Sequence, residues 1–188
     1  MAQRDRFDGR FDSILAAARL GDARAFEEIF EALSPVVAGY LRIQGCPEAD
    51  DVTSEVFVGV LRNLASFEGD EHEFRSWVFT ITQRRLFDER RRRARRPAPQ
   101  PLSVVNDPVA TDDVEATVDR HLEADRIRRL CAGLPADQRD VLLLRLLGRL
   151  TIDDIARALG KSQGGVKALQ RRGLRAIGQM LESEATPR

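Results

Sequence analysis

Cysteine, histidine, tryptophan and net charge are all scarce in this 188-residue chain. Cys46 and Cys131 are too few and too isolated for a disulfide framework, and His72 and His121 do not lie at ligand spacing from them, which excludes a metal knot. Both thiols read as ordinary buried side chains of a reducing compartment. No apolar run approaches membrane-spanning length, and the opening MAQRDRFDGRFD carries charges where a signal peptide needs an apolar stretch. A soluble, cytoplasmic chain with no membrane insertion is expected. The sequence also lacks a phosphate-cradling glycine loop after a strand, and it has no Cys-His nucleophile arrangement. No enzymatic activity, catalytic residue, cofactor or metal is therefore expected. The formal net charge is zero, so any charged partner must be read from how the charges are distributed and not from their sum.

What is present is a helical pattern with one unusual stretch, Glu73 to Arg96 (EFRSWVFTITQRRLFDERRRRARR). Phe74, Trp77, Val78 and Ile81 fall at the i, i+3, i+4, i+7 spacing of a helix face that packs on a core. Beyond them come Arg84, Arg85, Arg90, Arg91, Arg92, Arg93, Arg95 and Arg96, opposed only by Asp88 and Glu89. Such a tract repels itself unless a polyanion neutralises it, as a phosphate backbone does with release of counterions. The only tryptophan lies close to those cations, and an aromatic face beside a cationic groove suits unstacked bases. The plainer alternative is a core tryptophan followed by a solvated helix end.

Upstream, Asp12 reads as the cap of a short helix through Leu20. Gly21-Asp22 stops it and caps the next, whose stripe is Phe26, Ile29, Phe30 and Leu33. Ser34-Pro35 is expected to break the pattern, with Val36, Val37, Tyr40, Leu41 and Ile43 on a further helix ending at Gly45. From Pro47, Val52, Val56, Val60 and Leu64 recur every four residues, and Phe57 and Leu61 widen the stripe, while Asp50, Asp51 and Glu55 occupy the opposite face. Ser66 to Glu71 is a turn leading into the Trp77 helix.

Pro97, Pro99 and Pro101 end that helix, and the stretch that follows has no sustained periodicity. It reads as a flexible linker whose second half is acidic, with Asp107, Asp112, Asp113, Glu115 and Asp119 among its charges. A second unit begins near Leu122. Its hub, Val141 to Leu144 with Leu146 and Leu147, has little polar face and is expected to be buried on most sides. Residues 11–96, 97–121 and 122–182 thus divide into two small all-α domains and a linker.

The most specific pattern is TIDDIARALGKSQGGVKALQRRGLRAI. Thr151 with Asp154 three residues on caps a short helix that Gly160 ends, and Ser162 caps a second after a two-residue turn. Val166, Leu169, Gly173, Leu174, Ile177 and Leu181 can face inward. Gln163, Lys167, Arg171 and Arg175 recur at i+4 on the outer side, with Arg172 beside them. No acid occurs between Ile155 and Leu181, so Arg157, Lys161, Lys167, Arg171, Arg172 and Arg175 are expected to stay uncancelled. Gly164 and Gly165 cost about 1 kcal/mol each relative to alanine, which close approach of the first helix or of DNA backbone would offset. Two short helices, a tight turn and long donors on one edge make a helix-turn-helix aimed at a major groove.

Taken together, the chain from about Phe11 to Leu181 resembles the extracytoplasmic-function (ECF) sigma factors of bacterial RNA polymerase. ADDVTSEVFVGVLRNLASF is similar to the family's stretch that grips the polymerase clamp, which implies core polymerase contact by Asp50, Asp51 and Glu55. FRSWVFTITQRRLFDERRRR is similar to its promoter-melting helix, which implies that Trp77, Arg84, Arg85, Arg91 and Arg92 meet the single-stranded minus-ten element. The helix-turn-helix implies that Ser162, Gln163, Lys167, Arg171 and Arg172 meet the double-stranded minus-thirty-five element. The resemblance also implies an acidic linker in the RNA exit path and an anti-sigma factor as regulator. Two positions depart from the family's habit: Ser54 stands where glutamine is frequent, and Arg84 where asparagine is common.

A free-standing helix-turn-helix regulator would account for the second unit equally well. It would leave unexplained why the first unit carries Trp77 beside an arginine tract.

Overall fold

The computed structural model describes residues 7, 9–95 and 129–185, and its regular elements are helical throughout. They are α1 (Phe11–Arg19), α2 (Ala23–Ile43), α3 (Ala49–Asn63), a 3-10 turn (Leu64–Ser66), α4 (Glu71–Arg95), α5 (Ala136–Leu146), α6 (Ile152–Leu159) and α7 (Gln163–Ala185). Arg96, the linker at 97–121 and the expected start of the second unit at Leu122 lie outside the described residues.

The first half is a bundle in which α2 packs on α1 and α3, and α3 packs on α4. Asp22 caps α2 as its sequence position suggests, its carboxylate accepting from the backbone N–H of Arg24 and Ala25. Asp12, by contrast, is no cap; it sits in the first turn of α1, and Arg10 holds the cap position without a side-chain bond. The expected break at Ser34-Pro35 is also absent, and α2 runs through it for 21 residues. Proline inside a helix costs about 3 kcal/mol. Ile29 and Leu33 before it, and Val37, Tyr40 and Leu41 after it, are each no more than 1% exposed on one continuous stripe. Burying each is worth about 1.5–3 kcal/mol, so tertiary packing outweighs the proline.

Val52, Val56, Val60 and Leu64 are buried as their spacing predicts, and so is Phe57. Leu61 is not part of that stripe and is 51% exposed, because burial here runs along the i+4 row and position 61 turns outward from it.

In the second half α5 lies against α7, and α6 bridges them. Val141 to Leu144 are buried, but Leu146 and Leu174 face solvent, so α5 is covered on fewer sides than its composition suggests. The close approach of α5 and α7 depends on Gly173, where an added Cβ would lie 2.8 Å from Leu142 Cδ1. No such approach explains Gly164, whose Cβ would meet nothing within 4 Å. The closest neighbour at Gly165 is the hydroxyl of Ser162, so α6 does not require either glycine.

The two halves touch. Gly148 of the second half sits beneath Phe79 of α4, and an added Cβ there would lie 2.6 Å from the Leu144 carbonyl and 3.4 Å from Phe79 Cγ. The buried apolar residues of both halves form one continuous cluster.

Candidate nucleic-acid interface

Helix α4 begins with a reciprocal cap: the Asp70 N–H donates to Glu73 Oε2 at 2.9 Å, and the Glu73 N–H donates to Asp70 Oδ1 at 2.8 Å. Gly69 makes this turn possible, with φ at 149° and no room for a Cβ beside the Glu73 carboxylate. The loop thereby places Phe67 under Trp77, ring centroids 5.0 Å apart and planes 28° from parallel. Phe74 supports both rings from the core side. Trp77 is half-buried: packing holds one side of the indole and leaves the rest at the surface.

Along α4, Trp77, Arg84, Asp88, Arg91 and Arg95 are separated by seven, four, three and four residues, which puts them on one face, turned away from Val78, Thr82, Leu86 and Glu89. The arginine tract divides on this face. Arg84, Arg91 and Arg95 are exposed and have no acidic partner among the described residues. Arg85 lies 3.8 Å from Glu55 of α3. Arg90 donates to the Gln44 side chain and carbonyl at 2.9 and 3.3 Å. Arg92 and Arg93 both pair with Glu89, a carboxylate buried between α3 and α4. Of the four arginines expected at the minus-ten strand, Arg84 and Arg91 are therefore free to take a phosphate, while Arg85 and Arg92 must exchange a carboxylate for one. An open concavity of about 510 Å3 is lined by Asp88, Arg91, Arg92 and Arg95.

On α3, Asp50, Asp51 and Glu55 are exposed on one side, with Asp50 held by Arg42 at 2.5 Å. Val58 follows Asp51 and Glu55 on the same side and is also exposed, with Leu61 beside it. Val58 escaped the sequence reading, and Leu61 was expected on the buried stripe. The outward placement of Asp51 and Glu55 is the signal that could have found Val58, which lies seven and three residues on.

The helix-turn-helix forms as its caps predict. Thr151 accepts from the Asp154 N–H, Asp154 accepts from Thr151, and Gly160 closes α6 in the left-handed conformation at φ 62°. The Ser162 hydroxyl accepts from the Gly165 N–H at 3.1 Å, so Ser162 serves α7 as a cap. Gln163 donates its amide to Asp153 at 2.8 Å, which fixes the first side chain of α7 toward α6. Lys167, Arg171, Arg172 and Arg175 are all exposed and have no acidic partner among the described residues. The absence of local acids did not leave Arg157 and Lys161 uncancelled, however. Arg157 pairs with Asp153 and Asp154, and Lys161 with Asp137 of α5 at 3.0 Å. The cationic edge is therefore a property of α7 alone.

Burial pushes the Asp154 carboxyl up, but hydrogen bonds from Thr151, Arg157 and His72 outweigh it and hold the group well below the usual carboxylate range. Burial also raises the Cys46 and Cys131 thiols, which agrees with their reading as unreactive side chains.

Phe87, between Arg84 and Arg91, is 65% accessible and more exposed than Trp77. It too escaped the sequence reading, since an aromatic at this position is not distinguished by spacing from a core residue.

Comparison with known proteins places two family models on the chain: Sigma-70 region 2 on residues 29–96 and Sigma-70, region 4, on residues 124–177. The ECF RNA polymerase sigma factor BldN of Streptomyces coelicolor is 29% identical over 189 residues, covering 96% of this chain and 69% of the relative. The ECF RNA polymerase sigma factor SigD of Mycobacterium tuberculosis is 29% identical over 177 residues, covering 89% and 82%. Among solved structures, that of CnrH in complex with the cytosolic domain of CnrY superposes with a TM-score of 0.63 at 23% identity, over 91% of this chain and 96% of the other, a likeness of fold.

Proposed function

Because the chain belongs to the ECF sigma factor family, we propose that it docks on core RNA polymerase in the cytoplasm, recognises a two-part promoter and captures the melted strand. Residues 11–96 serve the polymerase and the minus-ten element, residues 122–182 the upstream element, and 97–121 connect them.

One observation supports this most directly: two separate helices, α4 and α7, each present to solvent cations with no acidic partner among the described residues, and only α4 sets an accessible indole beside them. The α7 edge suits a duplex, whose phosphates Lys167, Arg171, Arg172 and Arg175 can neutralise, with bases in reach of the long donors. On α4 the outer face suits a single strand, since a stacking surface has no use until bases are unpaired. Trp77 and the loop that carries Phe67 support or receive a base taken out of the stack, at a cost of a few kcal/mol in lost pairing and stacking. Arg84, Arg91 and Arg95 hold the strand's phosphates. Arg85 and Arg92 join them once Glu55 and Glu89 are exchanged. Asp50, Asp51 and Glu55, with Val58 and Leu61 among them, form a mixed acidic and apolar face for the polymerase clamp. Regulation in this reading is the family's: an anti-sigma factor that covers both halves. Binding, and not bond making, carries the function.

The test is run-off transcription from genomic fragments with core polymerase, with and without this chain. Transcripts from defined starts that core alone does not make are the expected result. No transcripts, together with sequence-specific duplex binding by the chain alone, would replace this reading with a free-standing regulator.

A further inference from the structure

The first side chain of α7 is tied back to the helix before it. Gln163 donates its amide to Asp153 Oδ1 of α6 at 2.8 Å, a partner ten positions away in the chain. An ionised carboxylate only accepts, so the NH2 edge of the amide is the one that meets it. Gln163 is exposed, and its carbonyl oxygen accepts no hydrogen bond among the described residues. The donor of this amide is therefore engaged within the protein, and the acceptor is left for whatever α7 meets. Asp153 is itself well placed. It lies in the first turn of α6, whose start is held independently by Thr151 and Asp154. Its other oxygen lies 3.6 Å from Arg157, which keeps a closer partner in Asp154 at 2.6 Å.

The consequence rests on the proposed function, in which α7 enters a major groove with its N-terminal residues at the base edges. A free glutamine amide reads adenine with both of its edges, donating to N7 and accepting from N6. With its NH2 group held by Asp153, Gln163 keeps only the accepting half. A carbonyl accepts from adenine N6 or cytosine N4, whereas guanine offers N7 and O6 and thymine offers O4, all of them acceptors that repel it. We infer that Asp153 is a positioning residue for base readout. By holding the amide it leaves Gln163 only a carbonyl to offer the groove, so that one position of the upstream element takes adenine or cytosine and refuses guanine or thymine on the strand facing α7.

This gives the outer edge of α7 a mixed character that its composition hides. Lys167, Arg171 and Arg175, the next residues on the i+4 row, can only donate, which suits phosphates or the acceptors of guanine. Gln163, at the head of that row, is the one acceptor of the four. Spacing does not distinguish the two edges of its amide, because the acid that engages one of them sits on the other helix and is brought close only by the turn. Nor does the role reduce to charge. Arg157 stays paired with Asp154 whether or not Asp153 is present, so loss of the Asp153 carboxylate frees the Gln163 amide without freeing a cation.

The experiment selects duplexes randomised over the upstream element, using the full chain with core polymerase, and compares wild type with Gln163→Ala, Asp153→Ala and Asp153→Asn. Circular dichroism establishes that each variant folds. The position read by Gln163 is the one where Gln163→Ala abolishes preference. There, wild type is expected to favour cytosine over guanine about tenfold. Asp153→Ala is expected to shrink that ratio below about threefold, because a freed amide can turn its NH2 group to guanine as readily as its carbonyl to cytosine. Asp153→Asn removes the charge but keeps an oxygen that accepts from the amide, so the ratio is expected to survive. Preferences at the other positions are expected to be the same in all four proteins. A full ratio in Asp153→Ala, or an equal loss in Asp153→Asn, overturns the positioning role and leaves the sigma-factor reading intact. So does a selected sequence in which Gln163→Ala alters no position. A chain that selects a duplex but directs no run-off transcripts overturns the sigma-factor reading and leaves the positioning role standing, and a pool that yields no preferred sequence overturns both.

Discussion

Trp77 decides how much of the melting function rests on a single side chain. Its indole is stacked on Phe67 and backed by Phe74, so it is oriented before any DNA arrives. A base received beside it gains stacking worth about 1–3 kcal/mol, which the alanine variant forfeits. Trp77→Ala is expected to bind core polymerase as wild type does and to lower open-complex yield on a duplex promoter, with recovery on a premelted template. Equal permanganate reactivity of the melted region in wild type and variant would remove the residue from the site. The same scale shows why a count of arginines misleads. Glu89 lies a turn from Arg92 and Arg93 and is buried under them. Its local spacing hints at pairing, whereas its burial, which makes the pairing persistent, comes from α3 packing against α4.

At the scale of elements, the glycines of α7 separate two causes that look alike in sequence. Gly173 is required by α5, because a methyl group there would meet Leu142 at 2.8 Å. Gly173→Ala should lower stability by about 1–3 kcal/mol through overpacking. Gly164 has open space around it, so Gly164→Ala should instead raise stability by about 1 kcal/mol through helix propensity. Urea denaturation of both variants reads the opposite signs. If Gly164 is kept for close approach of a phosphate backbone, that same variant binds the upstream duplex more weakly despite its greater stability, and unchanged binding would end that explanation. Three of the four expected caps were legible: Asp22, Thr151 with Asp154, and Ser162 bond as their positions predict, while Asp12 lies inside the first turn of α1. Pro35 was misread because a helix breaker acts locally, whereas the stripe it interrupts is buried against two neighbouring helices.

For the whole molecule, a net charge of zero and a function in nucleic-acid binding are compatible only if the charges are sorted in space. Arg157 is neutralised within α6 by Asp153 and Asp154, and Lys161 across elements by Asp137 of α5, which leaves four exposed cations on α7 to meet a duplex. Affinity for the upstream element should then fall with salt at a logarithmic slope of about −3 to −4. Lys167→Ala should reduce that slope by about 1 if the lysine meets phosphate, as titrations at several salt concentrations would show. A slope near zero would mean that the α7 edge does not neutralise DNA phosphates. By itself the sequence determined the helical class, the order of the motifs, the caps at Asp22, Thr151 and Ser162 and the faces of α3 and α7 that carry charge, because each of these is set by residues within a turn or two of one another. Only the tertiary structure decided which arginines stay unpaired, which leucines reach solvent and that the two halves close on each other. Those outcomes depend on partners far away in sequence, Gln44 on Asp140 and His72 on Asp154, whose pairing no local spacing encodes.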